Sequence, residues 1–239
     1  MSIYYKGDSM DTTPSIKTKA EELYPDNLKG ESFNDGDLGG CNVVGDPATH
    51  YPIMWKYLVD KFNIKSIVDV GCGFGYSLDF FKKNFNLDWA AGVEGSKKVV
   101  ELALNNSDII QHDYSVDGPL KTEQADLVWS TEFVEHIHAD YLDNFMETFK
   151  CGKYLAITYA YIRQRGHHHV NENTEEYWIE QAAAKGFSYD ETVTKELREK
   201  TLEDSKDPRS PVDQSRVANW NAPYHFATRG LFFKNDLLF

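Results

Sequence analysis

The chain has 239 residues and sets 38 Asp and Glu against 25 Lys and Arg, a net charge of −13. At 41% hydrophobic and 14% aromatic residues it is globular in composition, and it is long enough to bury a core without a metal or disulfide staple. The charge disfavours a broad surface for nucleic acid or for an anionic membrane, since both need clustered cations to meet phosphates.

Residues 1–46 are polar and acidic and include a Gly-Asp-rich run over 31–40. They are expected to form an irregular arm or lid ahead of one α/β domain over 47–239. The start of the chain lacks the apolar core of a signal peptide, and no stretch approaches the ~20 apolar residues of a membrane span. Cys41, Cys72 and Cys151 fit neither a zinc motif nor a disulfide ladder, which suits a reducing compartment. A cytoplasmic protein is the expectation.

Asp46 followed by Pro47 predicts a helix start, with Leu58 and Phe62 on one face. From residue 64 strands and helices alternate. Ile67 to Val70 forms a short apolar strand that ends in Gly71-Cys72-Gly73-Phe74-Gly75, and a helix with Leu78, Phe81 and Phe85 follows. Trp89 to Val93 is a second strand closed by Glu94, and Ser96 caps the next helix. Further strands are expected at 108–110, 125–129 and 154–159, with a helix through Tyr141, Phe145 and Phe149. Asn173 and Glu176 make a capping-box pattern opening a helix that Gly186 stops. Beyond it, 187–189 and 231–233 read as strands, 195–202 as helix and 204–223 as a long loop. This alternation predicts a Rossmann-like, doubly wound, mostly parallel sheet of seven strands with helices on both faces.

The glycine loop is the most informative stretch. It stands at the carboxyl end of a strand, where open α/β sheets bind ligands. Its third glycine falls one residue early for a dinucleotide loop, and it lacks the Lys-Ser/Thr of a P-loop. Asp69, just ahead of the turn, repels a pyrophosphate and welcomes a cation such as an amino-acid ammonium. Glu132, Glu135 and His136 follow the fourth strand at spacings that share a face on a helical turn. Such a group could deprotonate a hydroxyl or hold a divalent metal. His167-His168-His169 precedes the Asn173 helix on the same sheet edge, where imidazole suits proton removal.

Over about residues 45–190 the chain resembles the class I S-adenosylmethionine-dependent methyltransferases. The resemblance implies that Asp69, Gly71 and Gly73 cradle the methionyl part of the cofactor, with Cys72 between them. It implies that Glu94 takes the ribose hydroxyls with Gly95 beside it, that Asp113 meets the adenine amino group with Tyr114 next to the ring, and that Glu132 borders the cofactor. Weaker likeness in Asp46-Pro47-Ala48-Thr49, His168-His169-Val170-Asn171 and Tyr177-Trp178 points to a small microbial and viral group linked with glycan decoration. The expected reaction is methyl transfer to a hydroxyl of a sugar or other polar small molecule. His168 and His136 are the candidate bases with Glu135 beside them, no metal is expected, and Tyr51, Trp55, Tyr159 and Tyr161 are candidate pocket walls. Arg163 and Arg165 are candidate acceptor contacts. The alternatives are an N- or protein methyltransferase and a cofactor-binding, non-catalytic regulatory partner.

Overall fold

Strand residues of this chain face two ways, and the two directions fill two separate cores. In the computed structural model, which describes residues 32–33, 38–42, 46–104, 106–204 and 225–239, two short strands come first, β1 (Ser32–Phe33) and β2 (Cys41–Asn42), paired antiparallel. The main sheet then contains β3 (Ser66–Val70), β4 (Trp89–Glu94), β5 (Ile109–Gln111), β6 (Ala125–Ser130), β7 (Gly152–Ile157), β8 (Phe187–Tyr189) and β9 (Leu231–Asn235). Its order is β5-β4-β3-β6-β7-β9-β8, parallel up to β7, with β9 antiparallel to both neighbours. The seven-stranded, mostly parallel, open sheet is the one the alternation of elements predicts. Asp204, read as the start of a long loop over 204–223, instead ends a helix, and the rest of that loop and most of the arm lie outside the described residues.

On one face Ile67, Leu127, Trp129, Ala156 and Phe232 pack against α1 (Pro52–Phe62), α2 (Tyr76–Asn84), α6 (Glu191–Asp204) and α7 (His225–Arg229). On the other, Val68, Val128, Leu155, Leu231 and Phe233 meet α4 (Leu142–Phe149) and α5 (Glu175–Ala184). α3 (Lys97–Leu102) lies between β4 and β5 in the chain and packs Val99 and Leu102 near Phe74. This period-two split explains why the central strands read as continuous apolar runs: both faces are covered. Every residue of β3 is buried, Asp69 included. A carboxylate in the middle of such a strand is costly unless it has a task.

Several local expectations are corrected. Asp46 does not open α1. Its carboxylate accepts from the Ala48 amide at 2.9 Å and closes a separate 3-10 turn, Pro47–Thr49, and α1 begins at Pro52. The first amides of α1 are instead held by Asp204 at the end of α6, at 2.7 Å from Ile53 and 3.1 Å from Met54, a cap that no local pattern encodes. α5 is capped by Thr174, whose hydroxyl accepts from Tyr177, and not by Asn173. α6 runs longer than 195–202, and β7 begins and ends two residues before 154–159. Glu132, Glu135 and His136 do not share a helical face. Glu132 stands at φ 50° before a short 3-10 turn, Val134–His136, that turns Glu135 inward.

Candidate active site

The carboxyl ends of β3, β4 and β6 meet at the glycine loop. Gly71 and Cys72 donate to the Val93 carbonyl at 2.8 and 3.2 Å, which ties the loop to β4. Gly71 has φ +75°, and a Cβ there would stand 2.6 Å from the Phe133 ring; only glycine fits both demands. Gly73, at φ +53°, lets the Cys41 side chain approach, and its amide donates to Glu94 Oε2 at 3.0 Å. The other oxygen of Glu94 accepts from the Ser96 amide at 2.9 Å. The Glu94 carboxylate is thereby held at the tip of β4 by two backbone donors.

Two adjoining cavities open around this loop. The larger, about 250 Å3, is lined by Asp69, Gly71, Cys72 and Gly73, by Asp46 and Thr49, and by Thr131, Glu132, His136, His167 and His169. The smaller, about 70 Å3, is lined by Glu94, Gly95, Asp113 and Tyr114 together with Phe133 and Ile137. Gly40, Cys41, Gly71, Gly73, Glu132 and His136 border both. Residues 38–41 border the cleft: Leu38 packs by Gly95, Gly39 approaches the His136 ring so closely that a Cβ would stand 2.6 Å from it, and Cys41 reaches Gly73.

Asp69 is the electrostatic anomaly of the larger cavity. Burial, with the nearby Glu94 charge, pushes its carboxyl up to about 8. Its Oδ2 has no hydrogen-bond partner. A buried, orphaned acid on a cavity wall is a site prepared for a cationic group. In the smaller cavity Asp113 Oδ1 accepts from the Ser115 amide at 2.8 Å, and the Tyr114 hydroxyl donates to Thr148 at 2.9 Å, so both are fixed before any ligand arrives.

A family model described as a methyltransferase domain matches residues 68–157. Over this segment the chain is similar to methyltransferase domains. No curated protein sequence matches the chain. Among solved structures, the methyltransferase in the complex with the Haloferax volcanii Trm112 methyltransferase activator is 18% identical with a TM-score of 0.50, covering 77% of this chain and 88% of that one. PKMT2 from Rickettsia typhi, in complex with AdoHcy, is 12% identical with a TM-score of 0.50, covering 80% of this chain and 53% of that one. At these identities the likeness is one of fold.

The cofactor that the similarity to methyltransferase domains implies is S-adenosylmethionine, and the residues present fit it. The orphaned Asp69 oxygen suits its ammonium, the glycines admit its backbone-like part without a Cβ in the way, and the Glu94 carboxylate at the strand tip suits a ribose diol.

The other side of the larger cavity is assembled from more distant pieces. His136 lines both cavities; burial, and then His169 beside it, push its imidazole down to about 4, so the ring is neutral at neutral pH. Its Nδ1 is held by the His168 carbonyl at 3.1 Å. His168 itself stands at φ 52° with a buried Nδ1 and lines neither cavity. Glu135 is fully buried behind His136, and burial with the Glu132 charge holds its carboxyl well above the usual range. The aromatic residues expected as pocket walls have other places. Tyr51, Trp55 and Tyr159 are core, because their rings pack inward, and the Tyr161 hydroxyl donates to the Thr228 carbonyl at the surface. Arg163 and Arg165 turn their backbone amides to the Glu172 carboxylate and line neither cavity.

A network absent from the sequence reading braces this side. Arg229, 4% exposed, donates to both Glu132 oxygens at 3.2 Å and contacts Gln164 and His225. Thr158 donates to Glu132 Oε1 at 2.8 Å and takes the Glu132 amide in return. The His225 ring lies 3.6 Å from Glu132 and 3.7 Å from Asp46. Burial alone would raise the Asp46 carboxyl, but His225, the Ala48 amide and Arg229 outweigh it and hold the group below its ordinary value. A His and an Arg four apart on a five-residue helix was the available signal, and nothing in it names the partners.

Proposed function

We propose that this methyltransferase methylates a hydroxyl of a sugar or other polar small molecule. The observation that carries the reading is the larger cavity, where Asp46, Thr49, Thr131, Glu132 and three histidines face a space that also reaches Asp69. Hydroxyls, carboxylates and imidazoles in one small cavity match the hydrogen-bonding demand of a polyol better than that of an apolar substrate. Bound S-adenosylmethionine supplies the methyl group: an oxygen–carbon bond forms as the sulfur–carbon bond breaks, its electron pair stays on sulfur, and the hydroxyl proton is released.

The protein's own residues then have three tasks. Asp69, Gly71, Cys72 and Gly73 hold the methionyl end, while Glu94, Gly95, Asp113 and Tyr114 hold the nucleoside end. Glu132, fixed by Arg229 and Thr158, keeps the border between cofactor and acceptor rigid. The wall of His136, His167 and His169 receives the acceptor and handles its proton.

The test is a screen of free sugars, nucleotide sugars and small amines with methyl-labelled cofactor, followed by assignment of the methylated atom by NMR. An O-methylated sugar or polyol is expected. A product methylated on nitrogen overturns the hydroxyl reading, and cofactor binding without turnover on any acceptor favours the regulatory alternative. Replacing His136 by Ala is expected to lower turnover by about 10²-fold or more.

A further inference from the structure

In and just behind the acceptor wall lies a group of side chains that the methyl transfer alone does not explain. One ligand atom each of Glu135, His136 and His169 can be chosen so that all lie within 4.8 Å of one another. Both carboxylate oxygens of Glu135 are buried and lack hydrogen-bond partners, although the side chain is fully enclosed. Leaving two such oxygens unmatched costs several kcal/mol unless something occupies them.

The histidines are oriented by oxygens. His136 Nδ1 faces the His168 carbonyl at 3.1 Å, and His169 Nδ1 faces the Glu172 carboxylate at 3.3 Å. A carbonyl and a carboxylate can only accept, so each Nδ1 carries the proton and each Nε2 keeps its lone pair. Histidines that bind metals are fixed in this way by an outer oxygen. The Glu135 carbonyl in turn accepts from the Val170 and Asn171 amides at 2.9 and 3.0 Å, which clamps the histidine loop onto the 3-10 turn.

We propose that Glu135, His136 and His169 form a binding site for a divalent transition-metal ion, with its open positions toward the acceptor cavity. Two imidazole nitrogens and one carboxylate suit Mn2+, Co2+ or Zn2+ better than an all-oxygen ion such as Ca2+. Glu135 holds the ion from the interior. His136 and His169 both line the cavity, so the remaining coordination positions are on the side where an acceptor oxygen enters. An ion with open positions there would fix the acceptor's hydroxyl oxygen and lower its pKa; with His136 and His169 on the ion, His167 of the same wall is the imidazole left to take the proton. This role rests on the hydroxyl reading above; the site itself does not. It also replaces the expectation of a metal-free enzyme and gives the buried Glu135 a task.

The experiment uses the full chain without an affinity tag, titrated with Co2+ in the presence of S-adenosylmethionine and read by visible absorption and calorimetry. One bound Co2+ with the d–d spectrum of imidazole ligation is expected. H169A and E135Q should each weaken Co2+ at least tenfold, and E172Q, which takes the charge off the outer acceptor, about 10–100-fold. Cofactor affinity measured on the same samples reports folding, and H169A and E172Q provide the reading if E135Q does not fold. Absence of Co2+ and Mn2+ binding to a protein that binds cofactor overturns the site, as does Co2+ affinity indifferent to H169A and E172Q. Metal binding accompanied by an N-methylated product upholds the site and overturns the hydroxyl reading.

Discussion

The proposed cofactor half and the proposed acceptor half of the cleft are built by different means. The cofactor half takes its polar groups from one continuous stretch, residues 66–114, bordered by 38–41 and flanked by Phe133 and Ile137, and much of it is backbone: three glycines at positive φ, amides on Glu94 and Val93, and one buried acid. The acceptor half gathers Asp46, Glu132 to His136, Gln164 to His169 and His225 to Arg229, and it is held by side-chain charge. Backbone geometry leaves a spacing that can be read in sequence. Side-chain networks across long separations leave none.

The largest effect should come from the cofactor half. Replacing Asp69 by Asn keeps the shape and removes the charge, so affinity for S-adenosylmethionine should fall about 100-fold, measured by calorimetry. The cofactor-free protein should melt no lower than wild type, because the orphaned acid is a cost to it. Unchanged affinity would remove Asp69 from the site and erase the contrast between the halves.

Next, Arg229→Ala should destabilise the fold by about 2–3 kcal/mol in urea unfolding, since it strands Glu132 beside Asp46. Cofactor affinity should change far less than stability or turnover. If affinity falls as much as in the Asp69 variant, the two halves are one unit.

The sheet and the cofactor loop were legible in the sequence because apolar runs and glycine spacing are local. Asp69 was legible too, as an acid between valines at a strand end. The caps at Asp204 and Thr174 were not: the first reaches across 150 residues, and the second differs from Asn173 by one position. The positive φ of Glu132 was also hidden, so Glu132, Glu135 and His136 read as one helical face when the chain in fact splits them.

A smaller effect should appear with pH. The Asp69 carboxyl is raised to about 8, so between the ordinary carboxylate range and about 8 the folded, cofactor-free protein holds a proton that the unfolded chain has lost. Its contribution to stability therefore falls as pH rises through that window. A cationic ligand needs the ionised acid, so cofactor affinity should rise about tenfold per pH unit up to about 8 and then level, with proton release seen in buffers of different ionisation enthalpy. The Asp69→Asn variant should lose that slope. Smallest of all, Thr174→Ala should cost about 1 kcal/mol in thermal or urea unfolding through its lost cap on α5, and Asn173→Ala should cost less through the same cap.

The order of the last strands has a consequence for biosynthesis. β9 pairs with β7 and β8, and among the described residues β8 has no other strand neighbour. A ribosome finishes β8 some 40 residues before β9 exists. At about 5–20 residues per second the outer edge of β7 stays open for several seconds after it is made. During that interval the nascent chain exposes an unpaired strand edge beside an apolar face, the form of template that other chains can join. Its need for chaperone protection is therefore greatest late in translation.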